Sequence, residues 1–307
     1  MILCCGEALI DMLPRKGADG GACFQPYSGG AVFNTSIALG RLGIPVRMFT
    51  GLSDDLFGQQ LTASLAASGV GTDLVAVSDR PTTLAFVTLT DGHAKYAFYD
   101  ENTAGRMLAP ADLPQVPDDV KAVFFGGISL AVTPCADTYA QLLAQVAGDR
   151  LIMIDPNIRP GFIRDEAAYR ARLDRMFAAC DVVKVSDEDL EWLMGPGATV
   201  ELARKLIAKG PKLVLVTEGA KGAHGITADR AVFVPSQKVT VVDTVGAGDT
   251  FNAGFLAALA DADALSKDAL SGLDDAALSA ALGLAARCAA VTVSRAGANP
   301  PTRAELA

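Results

Sequence analysis

Short apolar runs of strand length recur along this chain, with longer stretches of helical spacing between them. "AVFFGG" (122–127), "LIMIDPN" (151–157), "DVVKVS" (181–186) and "KLVLVTEG" (212–219) are nearly unbroken in apolar character. A strand reads this way when both of its faces are covered, and a helix between successive strands supplies the cover. Such helices are read in "PCADTYAQLLAQVAG" (134–148), "AAYRARLDRMFAA" (167–179), "DEDLEWLMG" (187–195) and "VELARKLIAKG" (200–210). Nearer the start, "MILCCGEALI" (1–10) and "VRMFTGL" (46–52) read as strands, and "AVFNTSIALGRLG" (31–43) and "FGQQLTASLAASG" (57–69) as helices. The alternation predicts an α/β protein on a mainly parallel sheet.

Two stretches break the rhythm. Residues 12–28 are turn-rich and strand-like, and "TTLAFVTLTDGHAKYAFYDE" (82–101) reads as a β-hairpin turned at Asp91-Gly92. Neither has a helix between its strands. They read either as a small sheet projecting from the body or as edge strands of the main sheet. The Ala-rich residues 257–290 read as two helices joined around "SGLDD". With no internal repeat and no interdomain linker, residues 1–307 read as one domain with a small β appendage.

The net charge of -9 argues against a nucleic-acid surface, which needs clustered Lys and Arg. It leaves an anionic small molecule open, because one loop can be positive on an acidic chain. No apolar run is read as reaching the roughly 18 to 20 residues of a membrane span. The opening segment lacks the basic start of a signal peptide, so no membrane partner is expected. Six cysteines (Cys4, Cys5, Cys23, Cys135, Cys180 and Cys288) include no C-x-x-C pair, which suits a reduced, cytoplasmic protein. His93 and His224 have no partner at metal-ligand spacing and read as surface residues.

"VVDTVGAGDTFNAGF" (241–255) carries the chemistry. "VTVVDT" (239–244) reads as a strand and "DTFNAGFLAALA" as a helix, so Gly246, Ala247 and Gly248 fall on the turn between them. Small residues let the backbone close on a ligand, and the free N–H groups of a helix start attract anions. A phosphate fits. Asp249 then reads in two ways: as the base that takes a proton from an attacking hydroxyl, or as a cap of its own helix. The chain contains no G-x-x-x-x-G-K-[ST], and Phe251 stands where a dinucleotide fingerprint needs its third glycine.

"DTVGAGDTFNAGFL" resembles, at its constrained positions, the C-terminal signature of the PfkB (ribokinase-like) carbohydrate kinases. "GGAVFNTSIALGRLG" (29–43) resembles their N-terminal signature, with Val32 where a small residue or Pro is usual. "GLSDDLFG" has Ser53 where the family commonly has Gly. The resemblance spans essentially the whole chain. It implies a three-layer α/β/α domain with a small β-sheet lid, formed by roughly residues 12–28 and 82–101, through which a homodimer is expected.

The resemblance also implies roles. Asp249 is expected as the catalytic base, with the Gly246, Ala247, Gly248 and Asp249 amides as the anion hole. Asp11, Gly29, Gly30 and Asn34 are expected to clamp the sugar, although alone Asn34 reads as a helix cap and Asp11 as a turn residue. Phe98, from the lid, and Asn157 and Arg159 in "DPNIR" are expected to face it too. For ATP, "VTEGAKGA" (216–223) resembles the family's nucleotide loop, with Thr217, Gly219 and Gly222 lining phosphates and ribose. Ala285 and Cys288 in "AARCAAV" are expected to wall the adenine. Lys184, Ser186 and Asp189 fall on the family's N-x-x-E motif, which organises Mg2+ through water and here reads Ser186-x-x-Asp189. A K+ site on backbone oxygens would use Asp243, Val245, Thr292, Arg295 and Gly297.

"GEALIDMLP", "DPNIR" and "KVSDEDLEWL" together resemble bacterial fructokinases, which implies ATP and D-fructose as substrates. The alternatives are 2-keto-3-deoxygluconate, whose carboxylate Arg159 or Arg106 would pair, and then ribose or a nucleoside. A sugar-binding regulator without catalysis is the non-enzymatic reading.

Overall fold

In β1 (Ile2–Cys5), Ile2 and Cys4 pack into one apolar core and Leu3 and Cys5 into another, and all four are fully buried. Strand side chains alternate between faces, so a sheet of such strands needs helices on both sides. The computed structural model describes residues 1–90 and 93–306, and the side chains of 88–96 lie outside its description.

Among the described residues nine strands form the main sheet, in the order β15-β14-β13-β12-β11-β10-β1-β4-β6. They are β1, β4 (Val46–Phe49), β6 (Val70–Gly71), β10 (Ala122–Gly126), β11 (Leu151–Asp155), β12 (Val182–Ser186), β13 (Leu213–Thr217), β14 (Gly222–Ile226) and β15 (Ala231–Pro235). Only β14 runs against its neighbours. One face carries α1 (Ala31–Arg41), α2 (Leu56–Ala67), α7 (Ala247–Asp261), α8 (Lys267–Ser271) and α9 (Asp275–Val293). The other carries α3 (Cys135–Val146), α4 (Glu166–Phe177), α5 (Asp187–Met194) and α6 (Thr199–Ile207).

The two stretches without helices pair with each other. Strands β2 (Leu9–Lys16), β3 (Ala22–Gly29), β8 (Leu84–Thr90) and β9 (His93–Tyr99) make a separate four-stranded sheet in the order β3-β2-β8-β9. The expected turn at Asp91-Gly92 lies outside the described residues. Across this sheet Asp11 pairs with Ala85, and Ala85 with Phe98. Residues aligned in this way share a face, so Asp11 and Phe98 point to the same side with a small alanine between them.

Several expectations change. "VRMFTGL" breaks at Thr50 into β4 and β5 (Gly51–Ser53), and β5 pairs with β7 (Ala76–Ser78) away from the main sheet. "VTVVDT" is not a strand. The amides of Val242 and Asp243 donate to the Val293 carbonyl at the end of α9, so this exposed segment lies against a helix instead of joining a ladder. Contrary to the expectation that no apolar run is this long, helix α9 has the length and mean hydropathy (1.7) of a membrane span. Its apolarity has a local cause, since Leu278, Leu282, Ala285 and Cys288 are buried in the core it shares with α7.

The α7–α9 contact is tight. A Cβ on Gly254 would stand 2.7 Å from the Ala285 Cα and 3.1 Å from the Cys288 Sγ, whereas one on Gly283 of α9 meets nothing within 4 Å. Gly254→Ala should therefore destabilise the fold by about 1–3 kcal/mol through overpacking. Gly283→Ala should stabilise it by up to about 1 kcal/mol through helix propensity. Urea unfolding of both variants checks the pair, and equal effects would refute this view of the interface.

Candidate active site

The carboxyl ends of the parallel strands converge on a cavity of about 270 Å3, where ligands of open α/β sheets bind. The turn after β1 supplies Glu7, β10 leads to Ile128, β11 to Asn157 and Arg159, and β12 ends with Lys184 close by. From the small sheet come Asp11 and Phe98, and from the start of α1 Gly30, Ala31 and Asn34. The opposite wall is Thr244 to Asp249, the loop and first turn of α7.

Gly246 makes that turn. Its φ of +77° is left-handed, and a Cβ on it would lie 2.7 Å from the Ala298 Cβ, so a side chain is excluded twice. Helix geometry leaves the first-turn amides of α7 without an intrahelical acceptor. Asp249 does not cap this helix, because its N-cap is Gly246 with no side-chain hydrogen bond. Instead Asp249 Oδ2 accepts from Asn34 Nδ2 at 2.9 Å, and Thr35 Oγ1 donates to the Asp249 carbonyl at 3.1 Å. Asn34 lies inside α1 rather than at its cap. Asp11 is internal to β2, and a Cβ on Gly29 would overlap its carboxylate.

Burial shapes the charges. It pushes the Asp249 carboxyl up to about 7; the Asn34 hydrogen bond and Lys184 oppose the rise, and the charge of Asp155 adds to it. Asp11 is pushed up to about 6 by burial and by the charge of Glu7. Asp189 is pushed up to about 6 by burial and by the charge of Asp155. Among the described residues Lys184 is the buried ammonium beside these carboxylates. It pairs with Asp155 Oδ2 at 3.0 Å, and a Cβ on Gly248 would stand 2.9 Å from it. Asn252 Nδ2 donates to the same Asp155 oxygen at 2.7 Å.

A second cavity, of about 630 Å3, shares Thr244, Ala247 and Gly248 with the first. Thr217, Gly219 and Gly222 line it as the sequence led us to expect. Ala285 and Cys288 do not. The helix turns about 100° per residue, which sends those two into the core against Gly254 and gives the cavity Ala286, Ala289, Ala290 and Val293. Ser186 caps α5 by accepting from the Asp189 amide at 3.0 Å. Arg106 pairs with Asp100 at 3.0 Å and lines neither cavity. His224 is not a surface residue; Phe233 half-covers it at 4.7 Å. Asp243 accepts from Val245 and Gly297 amides at 3.0 and 2.9 Å, which ties two of the loops expected around K+. Thr292 is buried, its hydroxyl bonded to the Cys288 carbonyl.

Sequence reasoning missed Glu7, Asp155 and Asn252. Each is buried and acts through neighbours, and only the Asp of "DPNIR" carried any signal.

The pfkB family carbohydrate kinase model matches residues 1–305. The chain belongs to the pfkB family of carbohydrate kinases. A fructokinase of Rhizobium leguminosarum bv. trifolii is 56% identical over 278 residues, 91% of this kinase and 85% of that protein. Fructokinase-1 of Oryza sativa subsp. japonica is 35% identical, covering 100% and 96% of the two chains. The structure of Xylella fastidiosa fructokinase with bound ATP matches the kinase with a TM-score of 0.89 at 30% identity, over 99% and 96% of the two chains. A Vibrio cholerae O395 fructokinase double mutant, bound to fructose, ADP and potassium, matches at 0.88 and 26% over the same shares.

The Asp249 carboxyl, followed by 13C NMR in the ligand-free kinase, should titrate at about 7. Asn34→Ala removes a donor that favours the ionised form, so it should raise that value further. A downward shift would show that the hydrogen bond does not act as described.

Proposed function

We propose that this kinase transfers the γ-phosphate of ATP to a primary hydroxyl of D-fructose, giving fructose 6-phosphate and ADP. The observation that carries this reading is the meeting of two cavities at Ala247 and Gly248, with Asp249 on the polar side. The polar cavity suits the sugar and the apolar, alanine-walled one the nucleotide. A γ-phosphate reaching from the second into the first would meet the first-turn amides of α7 and the Lys184 ammonium. Asp249 takes the proton of the attacking hydroxyl, and Asn34 holds its carboxylate in line.

Asp11, Asn34 and the backbone at Gly29 and Gly30 bind the sugar hydroxyls, while Asn157 and Arg159 close the cavity's edge. Phe98 covers it from the small sheet, which acts as a lid that excludes water. Among the described residues no group of three His, Cys, Asp or Glu could hold a metal ion. Mg2+ would come with the ATP phosphates and neutralise their charge, and Asp189 would be the carboxylate that holds it through water. K+ would sit on main-chain oxygens of Asp243, Val245, Thr292, Arg295 and Gly297.

The names of the relatives support fructose. The cavity's charge supports it too, because Glu7, Asp11 and Asp249 line it, and Arg159 already donates to the Asn157 and Ile158 carbonyls. A sugar acid such as 2-keto-3-deoxygluconate would meet three carboxylates. ADP release with fructose, 2-keto-3-deoxygluconate, ribose, glucose and adenosine tests this. Fructose should lead, and Asp249→Asn should lower turnover roughly 10²- to 10⁴-fold with binding retained. For wild type, kcat/KM should fall as pH drops through about 7, where Asp249 gains its proton. Near-normal turnover in the variant would remove Asp249 as base, and a different leading sugar would overturn fructose.

We also propose a homodimer through the small sheet. Phe24, Phe86 and Tyr99 stack edge-to-face at 5.0 and 5.3 Å, with Phe24 and Tyr99 exposed. An exposed aromatic row of this kind marks an interaction face. Sedimentation equilibrium should find a dimer that Phe24→Asp with Tyr99→Asp converts to monomer; a wild-type monomer would refute it.

A further inference from the structure

Glu7 sits in the turn where the chain leaves the large sheet for the small one, between β1 and β2. Its side chain is buried at the wall of the first cavity. Oε1 accepts from the Ala31 amide at 3.0 Å, and Oε2 from the Ser129 amide at 3.3 Å. Its main-chain carbonyl accepts from the Phe33 amide at 3.2 Å. Ala31 opens α1, just where the chain returns from β3 to the main body. Ser129 lies in the short 3-10 turn Ile128–Leu130 after β10.

One residue therefore ties together the passage from β1 to β2, the passage from β3 to α1 and a third loop. Gly30, Ala31 and Ile128, which line the first cavity, belong to these tied segments. Gly127 makes room for the tie. Its φ is +74°, and a Cβ there would overlap both Glu7 carboxylate oxygens. The residue type is also specific. Both partners are N–H donors, which a carboxylate meets with an acceptor at each oxygen, whereas an amide turns one of them into a donor. Glu7 does not line the second cavity.

We infer that Glu7 is a positioning residue for the sugar half of the site. It holds the start of α1, with Gly30 and Asn34, and the 127–129 turn at a fixed separation around the sugar, and leaves the nucleotide half untouched. The inference rests on reading the first cavity as the sugar site.

Steady-state kinetics with fructose and ATP, together with thermal unfolding, test it on Glu7→Gln and Gly127→Ala. Glu7→Gln should raise the sugar KM about tenfold, the loss of one charge-assisted hydrogen bond, and leave the ATP KM unchanged. Gly127→Ala should move the sugar KM in the same direction by displacing the carboxylate. Equal rises in both KM values, an unchanged sugar KM, or loss of folding in both variants would overturn the inference and leave Glu7 a charge that serves stability alone. An inactive wild type would instead overturn the sugar reading itself, and this inference with it; an active wild type with an unaltered KM ratio in the variants overturns only the inference.

Discussion

The hydrogen bond from Asn34 to Asp249 joins parts of the chain that lie 215 positions apart, and the rest of the site is arranged around it. A carboxylate in this place is nearly shut off from water and needs a donor that does not neutralise it. Asn34 is that donor, and Thr35, next in α1, holds the Asp249 carbonyl. Helices α1 and α7 are thereby locked side by side. The lock aims the first turn of α7 at the junction of the two cavities. It also brings the start of α1, and with it the return from the small sheet, to the opposite wall.

Charge follows from this packing. Glu7, Asp11, Asp155, Asp189 and Asp249 lie within mutual influence, and burial raises four of them above the ordinary carboxylate range. Such a site would repel a polyphosphate without compensation. Compensation comes from the Lys184 ammonium, held by Asp155, and from the amides of a helix start. Lys184 lines the first cavity beside Gly248, which both cavities share, and these amides open at the same junction, while Glu7, Asp11 and Asp249 line the first cavity. A neutral polyol in the first cavity and a phosphate anion at the junction match this arrangement, which agrees with membership in a family of carbohydrate kinases.

The small sheet adds a second division of labour. One face presents Asp11 and Phe98 to the cavity, and Phe98 also packs on Phe162 at 4.8 Å, just beyond the segment that carries Asn157 and Arg159. The stacked row of Phe24, Phe86 and Tyr99 stays outside. The alternation of strand side chains separates these roles within a few residues of each other.

Much was legible in the chain alone. Unbroken runs such as "LIMID" and "LVLVT" require cover on two faces and so determined a layered α/β architecture, and the glycine before Asp249 marked the turn that opens α7. Those are local properties, set by side-chain type and spacing. The tertiary structure decided what depends on helix phase, register and distant partners. Ala286 rather than Ala285 reaches the second cavity because one residue rotates a helix by about 100°. "VTVVDT" reads as a strand by propensity, yet the amides of Val242 and Asp243 donate to the Val293 carbonyl at the end of α9. Glu7 and Asp155 work only through groups far away in sequence, so no local pattern could announce them. The chain determined which groups it carries; only the packing of α1 against α7 and of the small sheet against the large one decided which of them meet.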